Sequence, residues 1–376
     1  MRFHPEAGRR FCRPPPRGGS QTVVDLFGSL GPSSTLLPAP MPPIRLAFRS
    51  ILAVVLTVVG SALPVLGVPP SSSQAEGQSV RLECGDDSVT FKLRDKPVVT
   101  YRGGRGTLPA GVPEEYRRAG YLHPLVTPAG AVVTGDYPKN HRHHHGVWAA
   151  WTWTEIDGRK PDFWNMGQKK GRVEMIQWLG ARESAGGGEI ETLHRYVDLT
   201  AKTPVTVLLE GWKVRVPATP VGKPHRIDLT LRQTNVTEHP LALPEYRYGG
   251  LGFRGLDAWD GAANCRFLTS EGVTERGRGN ESRGRWCWVG GPARGGDGSD
   301  EVAGVVLLAH PSNVRFPEPM RIHPTEPFFC WSPQQAGDFS LPPRGVHVMR
   351  YRILVADGPP DPKEIEREWL EWSREP

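Results

Sequence analysis

Arg226–Gln233, with the sequence RIDLTLRQ, alternates apolar and polar residues along its whole length. Successive side chains of a β-strand point to opposite faces, so Ile227, Leu229 and Leu231 share one face and the polar residues share the other. This alternation predicts a strand that is buried on one side, as in an antiparallel sheet.

Segments of the same kind recur from residue 79 onward, separated by Gly, Pro and Asp. Their spacing of roughly 8–15 residues, without intervening helices, predicts an antiparallel sandwich or barrel rather than βαβ units. Gly277–Gly298, rich in Gly and Arg, is interpreted as a surface loop. The other predicted strand segments are Ser79–Glu83, Val89–Leu93, Pro97–Tyr101, Val147–Thr154, Val205–Val216, Val302–Leu308 and Val346–Val355.

One helix is predicted, at the end of the chain. Asp361 is a typical N-cap residue, and Pro362 suits the first helical turn. We expect a helix over residues 361–373 that docks against the outside of a sheet. Its apolar stripe consists of Ile365, Trp369 and Trp372.

The composition excludes several classes of protein. Of the 376 residues, 46 are Lys or Arg and 40 are Asp or Glu, but residues 1–67 hold seven of the basic residues and only two acids. Residues 68–376 therefore carry a net charge of only +1, which argues against a nucleic-acid partner. The 44 Gly and 38 Pro follow no Gly-X-Y period, which excludes collagen, and 12 Trp with 38% hydrophobic residues exclude wholesale disorder.

Residues 41–67 predict a secretory signal peptide, because Arg45 and Arg49 precede the apolar run Ile51–Val68. The alternative is a single membrane anchor, although Pro64 shortens the usable span. Residues 1–40 are interpreted as a non-native extension, residues 68–78 as a linker and residues 79–376 as a single sandwich domain. We expect a periplasmic or extracellular protein without a stable membrane span after cleavage.

Export would permit disulfide bonds. Cys265 and Cys287 fall on consecutive strand-like segments, and we expect them to pair. The sequence contains no CxxC and no Cys/His finger spacing, so a structural zinc site is not expected.

The densest chemical signal is the histidine segment His141–Gly146 (HRHHHG), which holds four of the twelve histidines. On an extended backbone His141, His143 and His145 share one face and His144 takes the other. Such imidazoles can hold a divalent metal, with His141 and His143 as candidate ligands, or can transfer protons on a sugar. The acidic residue of a cupin metal site is missing, so acid/base use is favoured. A solvated loop without function is the remaining alternative.

Two further segments combine aromatic and polar groups. Asp162-Phe163-Trp164-Asn165 fits a sugar platform, although Trp164 can equally be a core residue. The Gly-rich segment Tyr248–Arg254 permits the close approach of a ligand or of a second backbone. Arg254 is then either a clamp on hydroxyl or carboxylate groups or a member of a surface ion pair.

His310–Pro317 follows an apolar strand, which places His310, Asn313 and Arg315 at the rim of a sheet. His123-Pro124 repeats this pattern earlier in the chain, with a core or capping role for His123 as the alternative.

Taken in order, these five motifs resemble an exported bacterial family of uncertain function that carries the label "methane oxygenase PmoA". The resemblance covers about residues 80–372. The label itself conflicts with the sequence, since a membrane monooxygenase subunit needs several apolar spans of about 20 residues.

The family is similar to the galactose-mutarotase-like supersandwich, an antiparallel all-β fold whose members bind or rearrange carbohydrates with His as acid and Glu as base. The resemblance implies a member of the histidine segment as acid and Glu245 as base.

We therefore expect an exported supersandwich protein that acts on or binds a small-molecule carbohydrate. The alternatives are a non-catalytic sugar-recognition or envelope protein and a metal-dependent enzyme. No cofactor is predicted, although a divalent metal remains an alternative. The predicted catalytic residues are His143, His144, Glu245 and His310. We expect His123, His143 or His144, Glu245 and His310 to converge at one rim of the sandwich, with Trp164 nearby. The predicted substrate-binding residues are His123, Asp162, Trp164, Tyr248, Arg254, Asn313 and Arg315.

Overall fold

Most of the chain forms antiparallel β-strands in the computed structural model, which describes residues 79–294 and 300–375. The predicted extension, signal peptide and linker lie outside these residues. Within the described ranges, no helix is long and apolar enough to cross a membrane.

One sheet has nine strands, and the opening meander is confirmed as its first three. In spatial order the strands are β1 (Val80–Cys84), β2 (Ser88–Leu93), β3 (Lys96–Arg102), β4 (Tyr121–Leu125), β5 (Val147–Ala150), β11 (Gly250–Arg254), β17 (Phe328–Trp331), β16 (Glu318–Ile322) and β13 (Arg283–Gly284).

A second sheet has eight longer strands, and a two-stranded pair is formed by β10 (Leu241–Leu243) and β18 (Phe339–Leu341). In spatial order the eight strands are β12 (Arg266–Thr269), β14 (Trp286–Arg294), β15 (Asp300–Ala309), β19 (Val346–Asp357), β9 (His225–Asn235), β8 (Val205–Pro217), β7 (Gly187–Asp198) and β6 (Gly171–Ser184).

The inner faces of the two sheets share one apolar core, which makes the fold an all-β antiparallel sandwich. Strand β9 contains the alternating segment Arg226–Gln233, and its predicted apolar face lies in this core: Ile227, Leu229 and Leu231 are all buried. The predicted fold class is confirmed.

A buried polar network crosses this core around Glu210 on β8. Glu210 Oε1 accepts hydrogen bonds from Tyr196 OH (3.0 Å) and Gln233 Nε2 (2.7 Å), and Oε2 accepts one from Trp212 Nε1 (2.7 Å). The Tyr196 hydroxyl also lies 2.9 Å from Ala149 O on β5, so the network joins the two sheets.

The outer face of the nine-stranded sheet carries its own aromatic cluster. The register aligns a row of outward residues across five strands, and at the centre of this row Gly252 leaves room for two indoles. A Cβ there would lie 2.8 Å from both Trp148 and Trp164. The row runs through Tyr121, Trp148, Gly252, Cys330 and Arg321.

Two short helices are described, α1 (Arg276–Gly279) and α2 (Pro362–Trp372), and α2 confirms the predicted C-terminal helix. Asp361 Oδ1 accepts hydrogen bonds from the amides of Lys363 (2.9 Å) and Glu364 (3.4 Å). The predicted stripe packs on the outer face of the eight-stranded sheet.

Two expectations are wrong. Gly277–Gly298 is not simply a surface loop, because it contains α1, β13 and the buried strand β14. Cys265 and Cys287 are free, buried thiols rather than a disulfide pair. Both thiols lie in the apolar core, where burial raises their pKa.

Candidate functional site

The histidine segment forms a turn before β5, not an extended strand. The His141 amide donates to Pro138 O (3.1 Å), and the His144 amide donates to His141 O (2.8 Å). Side chains do not alternate in a turn, so the predicted shared face of His141, His143 and His145 is wrong. His144 stacks on His141 instead, with ring centroids 4.8 Å apart and 12° between the planes.

The His144 ring is buried, 4% exposed, and it lies between His141 and Phe328. Burial, followed by the charges of the neighbouring histidines, lowers its pKa well below the ordinary value. His144 is therefore neutral at pH 7. Its Nδ1 atom has no hydrogen-bond partner among the described residues.

Glu326, in the loop between β16 and β17, faces this histidine pair. Its Oε1 lies 3.0 Å from His141 Nδ1 and accepts a hydrogen bond from Asn140 Nδ2 (2.8 Å). Its Oε2 accepts one from Arg254 Nη1 (2.7 Å). Burial raises the pKa of Glu326, but His141 and Arg254 outweigh burial and hold that pKa below its ordinary value. Glu326 is therefore ionised at neutral pH.

Arg254 is fully buried at the end of β11, so it is neither a surface ion pair nor an exposed ligand clamp. Its Nη2 donates to Asp260 Oδ1 (2.8 Å), and its amide donates to Gly146 O (2.9 Å). The side chain ties the histidine segment and the Glu326 loop to the sheet.

A second histidine–carboxylate pair lies on the other side of the segment. His145 Nδ1 donates to Asp136 Oδ1 (2.7 Å), and Tyr121 OH donates to Asp136 Oδ2 (3.2 Å). The His145 ring is buried between Tyr121 and Tyr137. Tyr137 adopts a left-handed backbone (φ +50°), a conformation that costs free energy in a non-glycine residue and is enriched at functional sites.

Asp136 and Tyr121 open onto a cavity of about 480 Å³ above β3 and β4, a volume typical of small-molecule sites. His123 lines it, with Nδ1 hydrogen-bonded to Thr134 Oγ1 (2.9 Å). Burial lowers the pKa of His123. The polar side chains lining the cavity are Asp86, Asp87, Ser88, Arg102, Thr107, Arg117, Tyr121, His123, Asp136 and Tyr137.

An adjoining cavity of about 820 Å³ shares Gly104 and Arg117 with the first. Its charged lining is largely paired, for example Arg117 with Glu114 and Lys169 with Glu115. The two cavities together form a space larger than one small molecule requires.

His143 is half-buried, with its ring edge-on to His144 (centroids 4.7 Å apart). Burial, together with the charges of His141 and His145, lowers its pKa to about 4. His143 is therefore neutral at pH 7, as a proton acceptor must be.

The predicted sugar platform is part of the scaffold. Asp162 Oδ1 accepts from the amides of Trp164 (2.9 Å) and Asn165 (2.7 Å), so this carboxylate shapes its own loop. Trp164 is 1% exposed against Trp148, which leaves no ring face for a sugar. Tyr248, half-buried, packs on Trp164 and donates to Asn165 Oδ1 (3.1 Å).

Residues 88–370, about three quarters of the chain, match the model of a family of unknown function, DUF6807. The chain belongs to this family. The match includes all five motifs described above, and it carries neither a PmoA name nor an activity. None of the curated proteins compared with this DUF6807 member matches it.

Two of the predicted catalytic residues lie away from the histidine segment of this DUF6807 member. Glu245 is exposed in the segment before β11, and its amide donates to Asp338 Oδ1 (2.6 Å). Strand β11, about 14 Å long, lies between Glu245 and Arg254. His310 directly follows β15 in the other sheet, with Nδ1 accepting from the Ser312 amide (3.1 Å) and its ring against Trp372.

Two predicted binding residues are likewise structural. Asn313 donates to Glu318 Oε1 (2.7 Å) and accepts from the Arg350 amide (2.7 Å). Arg315 donates to backbone carbonyls of a neighbouring loop, including Pro333 O (2.7 Å). The predicted convergence is therefore wrong for Glu245 and His310.

Sequence reasoning missed three acidic residues of the candidate sites in this DUF6807 member: Asp87, Asp136 and Glu326. Asp136 lies only five residues before His141, so its proximity to the histidines was a usable signal. Glu326 follows His323-Pro324, a repeat of the His-Pro pattern noted at residue 123. Asp87 sits in the turn before β2 and carried no recognisable signal.

Proposed function

We propose that the protein binds a small-molecule carbohydrate in the cavity beside β4 and that His123 transfers a proton there. The supporting observation is that Arg102, Tyr121, His123 and Asp136 all line this cavity of about 480 Å³. A monosaccharide fits such a volume, and the adjoining cavity leaves room for a longer chain.

The chemistry of the lining favours a polyhydroxylated ligand. A sugar hydroxyl both donates and accepts hydrogen bonds, and this cavity offers guanidinium donors beside carboxylate acceptors. The Tyr121 and Tyr137 side chains add aromatic surface. A carbohydrate is also what the resemblance to galactose-mutarotase-like proteins implies.

His123 and Asp87 are the candidates for proton transfer. Burial lowers the pKa of His123 and raises the pKa of Asp87, although amide hydrogen bonds from Arg105 and Gly106 oppose the latter shift. Surroundings that shift the pKa values of two neighbouring titratable groups in opposite directions are a recurrent feature of acid/base sites. We assign His123 as the base and place the Asp87 carboxylate, whose Oδ2 accepts hydrogen bonds from the Arg105 and Gly106 amides, beside it as a ligand-binding group.

Direct binding tests the proposal. The purified chain is titrated calorimetrically against a panel of neutral and acidic mono- and oligosaccharides. We expect at least one sugar to bind, and His123→Ala to weaken its binding at least tenfold. His239→Ala is the matched control, because His239 is an exposed histidine outside the cavity. Failure of the whole panel to bind, or equal binding by His123→Ala, would refute the proposal.

Export and the closer relationship to the PmoA-labelled family are part of the same proposal. They are supported by the sequence of residues 41–67 and by the five motifs. N-terminal sequencing of the protein secreted from its host tests export: a first residue soon after residue 62 supports it, and an intact N-terminus in the cytoplasm contradicts it.

A further inference from the structure

Three metal-ligating side chains that are distant in sequence converge beside β17. His141, His144 and Glu326 each offer a donor atom, and these atoms all lie within 4.8 Å of one another. Within the described ranges this is the only group of three such ligands. It lies across the histidine segment from the proposed carbohydrate cavity.

Unpartnered nitrogen atoms provide an independent observation. Nδ1 of His144, in a side chain that is almost completely buried, has no hydrogen bond, and neither does the buried Nδ1 of His141. The His141 atom lies 3.0 Å from Glu326 Oε1 without the alignment of a hydrogen bond. Buried polar atoms normally have partners, so the orphaned His144 Nδ1, next to a His141–Glu326 pair, indicates a missing ligand.

The surroundings hold the carboxylate in place. Asn140 and Arg254 each donate to one Glu326 oxygen, which is the kind of support that orients carboxylate ligands in metal sites. The positive charge of Arg254 is shared with Asp260, 2.8 Å away. Glu326 thus keeps negative charge to offer a cation.

We infer that His141, His144 and Glu326 bind one divalent transition-metal ion, with zinc as the best match. Two imidazole nitrogens and one carboxylate oxygen are a known zinc ligand set that leaves a fourth position for water. Ligand atoms around a tetrahedral zinc lie about 3.4 Å apart, so donor atoms that lie up to 4.8 Å apart must approach by up to about 1.4 Å. His141, which is partly exposed, has the freedom to move. The inferred set replaces the predicted His141–His143 pair.

Zinc binding to the full chain tests the inference. The protein, freed of any affinity tag and treated with a chelator, is titrated with zinc chloride alone, and metal content is measured after desalting. We expect one zinc per chain and at least a tenfold loss of affinity in His141→Ala. The matched control is His143→Ala, a histidine of the same turn outside the set, which should change the affinity less than twofold.

A second measurement covers variants that fold poorly. Cobalt(II) bound to the wild-type chain should give the visible absorption bands of a tetrahedral site, and Glu326→Gln should abolish these bands. If circular dichroism shows that Glu326→Gln is unfolded, His144→Ala takes its place. Absence of stoichiometric zinc in the wild type would overturn the inference. So would a His143→Ala variant that loses as much affinity as His141→Ala.

Discussion

Glu318 is a buried carboxyl group in the sandwich interior. Asn313 Nδ2 (2.7 Å) and Tyr351 OH (3.2 Å) donate to it, and burial, which outweighs these hydrogen bonds, raises its pKa to about 8. The unfolded chain releases this proton near pH 4.3. Between these pH values the folded state binds more protons than the unfolded state, so stability falls as pH rises.

Glu318→Gln should remove this pH dependence, because an amide stays neutral. We expect the free energy of unfolding of the wild type to fall by roughly 3–5 kcal/mol relative to the variant between pH 5 and pH 9. Urea unfolding at three pH values measures the difference. Glu371→Gln, at an exposed position, is the control and should follow the wild type; identical slopes for both variants would contradict the prediction.

At the residue scale, the sequence identified the histidine segment but not the residues that surround it. The histidine segment was recognisable from its composition, but Glu326 lies 185 residues from His141, and one sequence does not reveal such a pairing. Glu245 was misplaced for a related reason. The residue pattern around Glu245 indicates a neighbouring strand, but it does not show which end of that strand lies at the candidate site.

At the scale of elements, the helix α2 was the most predictable feature, since its cap, its proline and its apolar stripe all indicated the same element. Strand β5 ends at Ala150 rather than at the predicted Thr154, and beyond it Trp153 adopts a left-handed backbone (φ +54°). Strand β14 was missed because its glycines resemble a loop. At Gly290 a Cβ would collide with Trp288, so this glycine serves indole packing.

The docking of α2 should depend on its tryptophans more than on its cap. Trp369→Ala removes a buried ring and its hydrogen bond to Ala309 O (3.0 Å), and should cost about 3–5 kcal/mol. Asp361→Ala should cost about 1 kcal/mol. Leu370→Ala, at an exposed position of the same helix, should cost less than about 0.5 kcal/mol. Chemical denaturation gives the order, and a larger loss for Leu370 than for Trp369 would show that α2 docks by another face.

At the scale of the whole molecule, the two sheets are joined by polar contacts as well as by apolar packing. Glu210→Leu would leave the Gln233 and Trp212 donors without the Glu210 carboxylate and would reduce Tyr196 to its contact with Ala149 O. We expect a loss of about 3 kcal/mol or more in the free energy of unfolding. Glu191→Leu, on the half-exposed side of β7, is the control and should remain within about 0.5 kcal/mol of wild type. Equal effects of the two changes would argue against the network.

The aromatic cluster on the outer face of the nine-stranded sheet has a consequence for how this protein can diverge. The interior between the sheets determines whether the chain folds, whereas the turn at 141–146 and the loop carrying Glu326 lie on the far side of the nine-stranded sheet. Substitutions at the exposed positions of those loops, such as Thr325, should therefore cost little folding free energy, whereas loss of Glu326 would deprive buried Arg254 of one partner carboxylate. Relatives that keep the sandwich can differ in specificity, and loop exchange between them is a practical route to new binding properties.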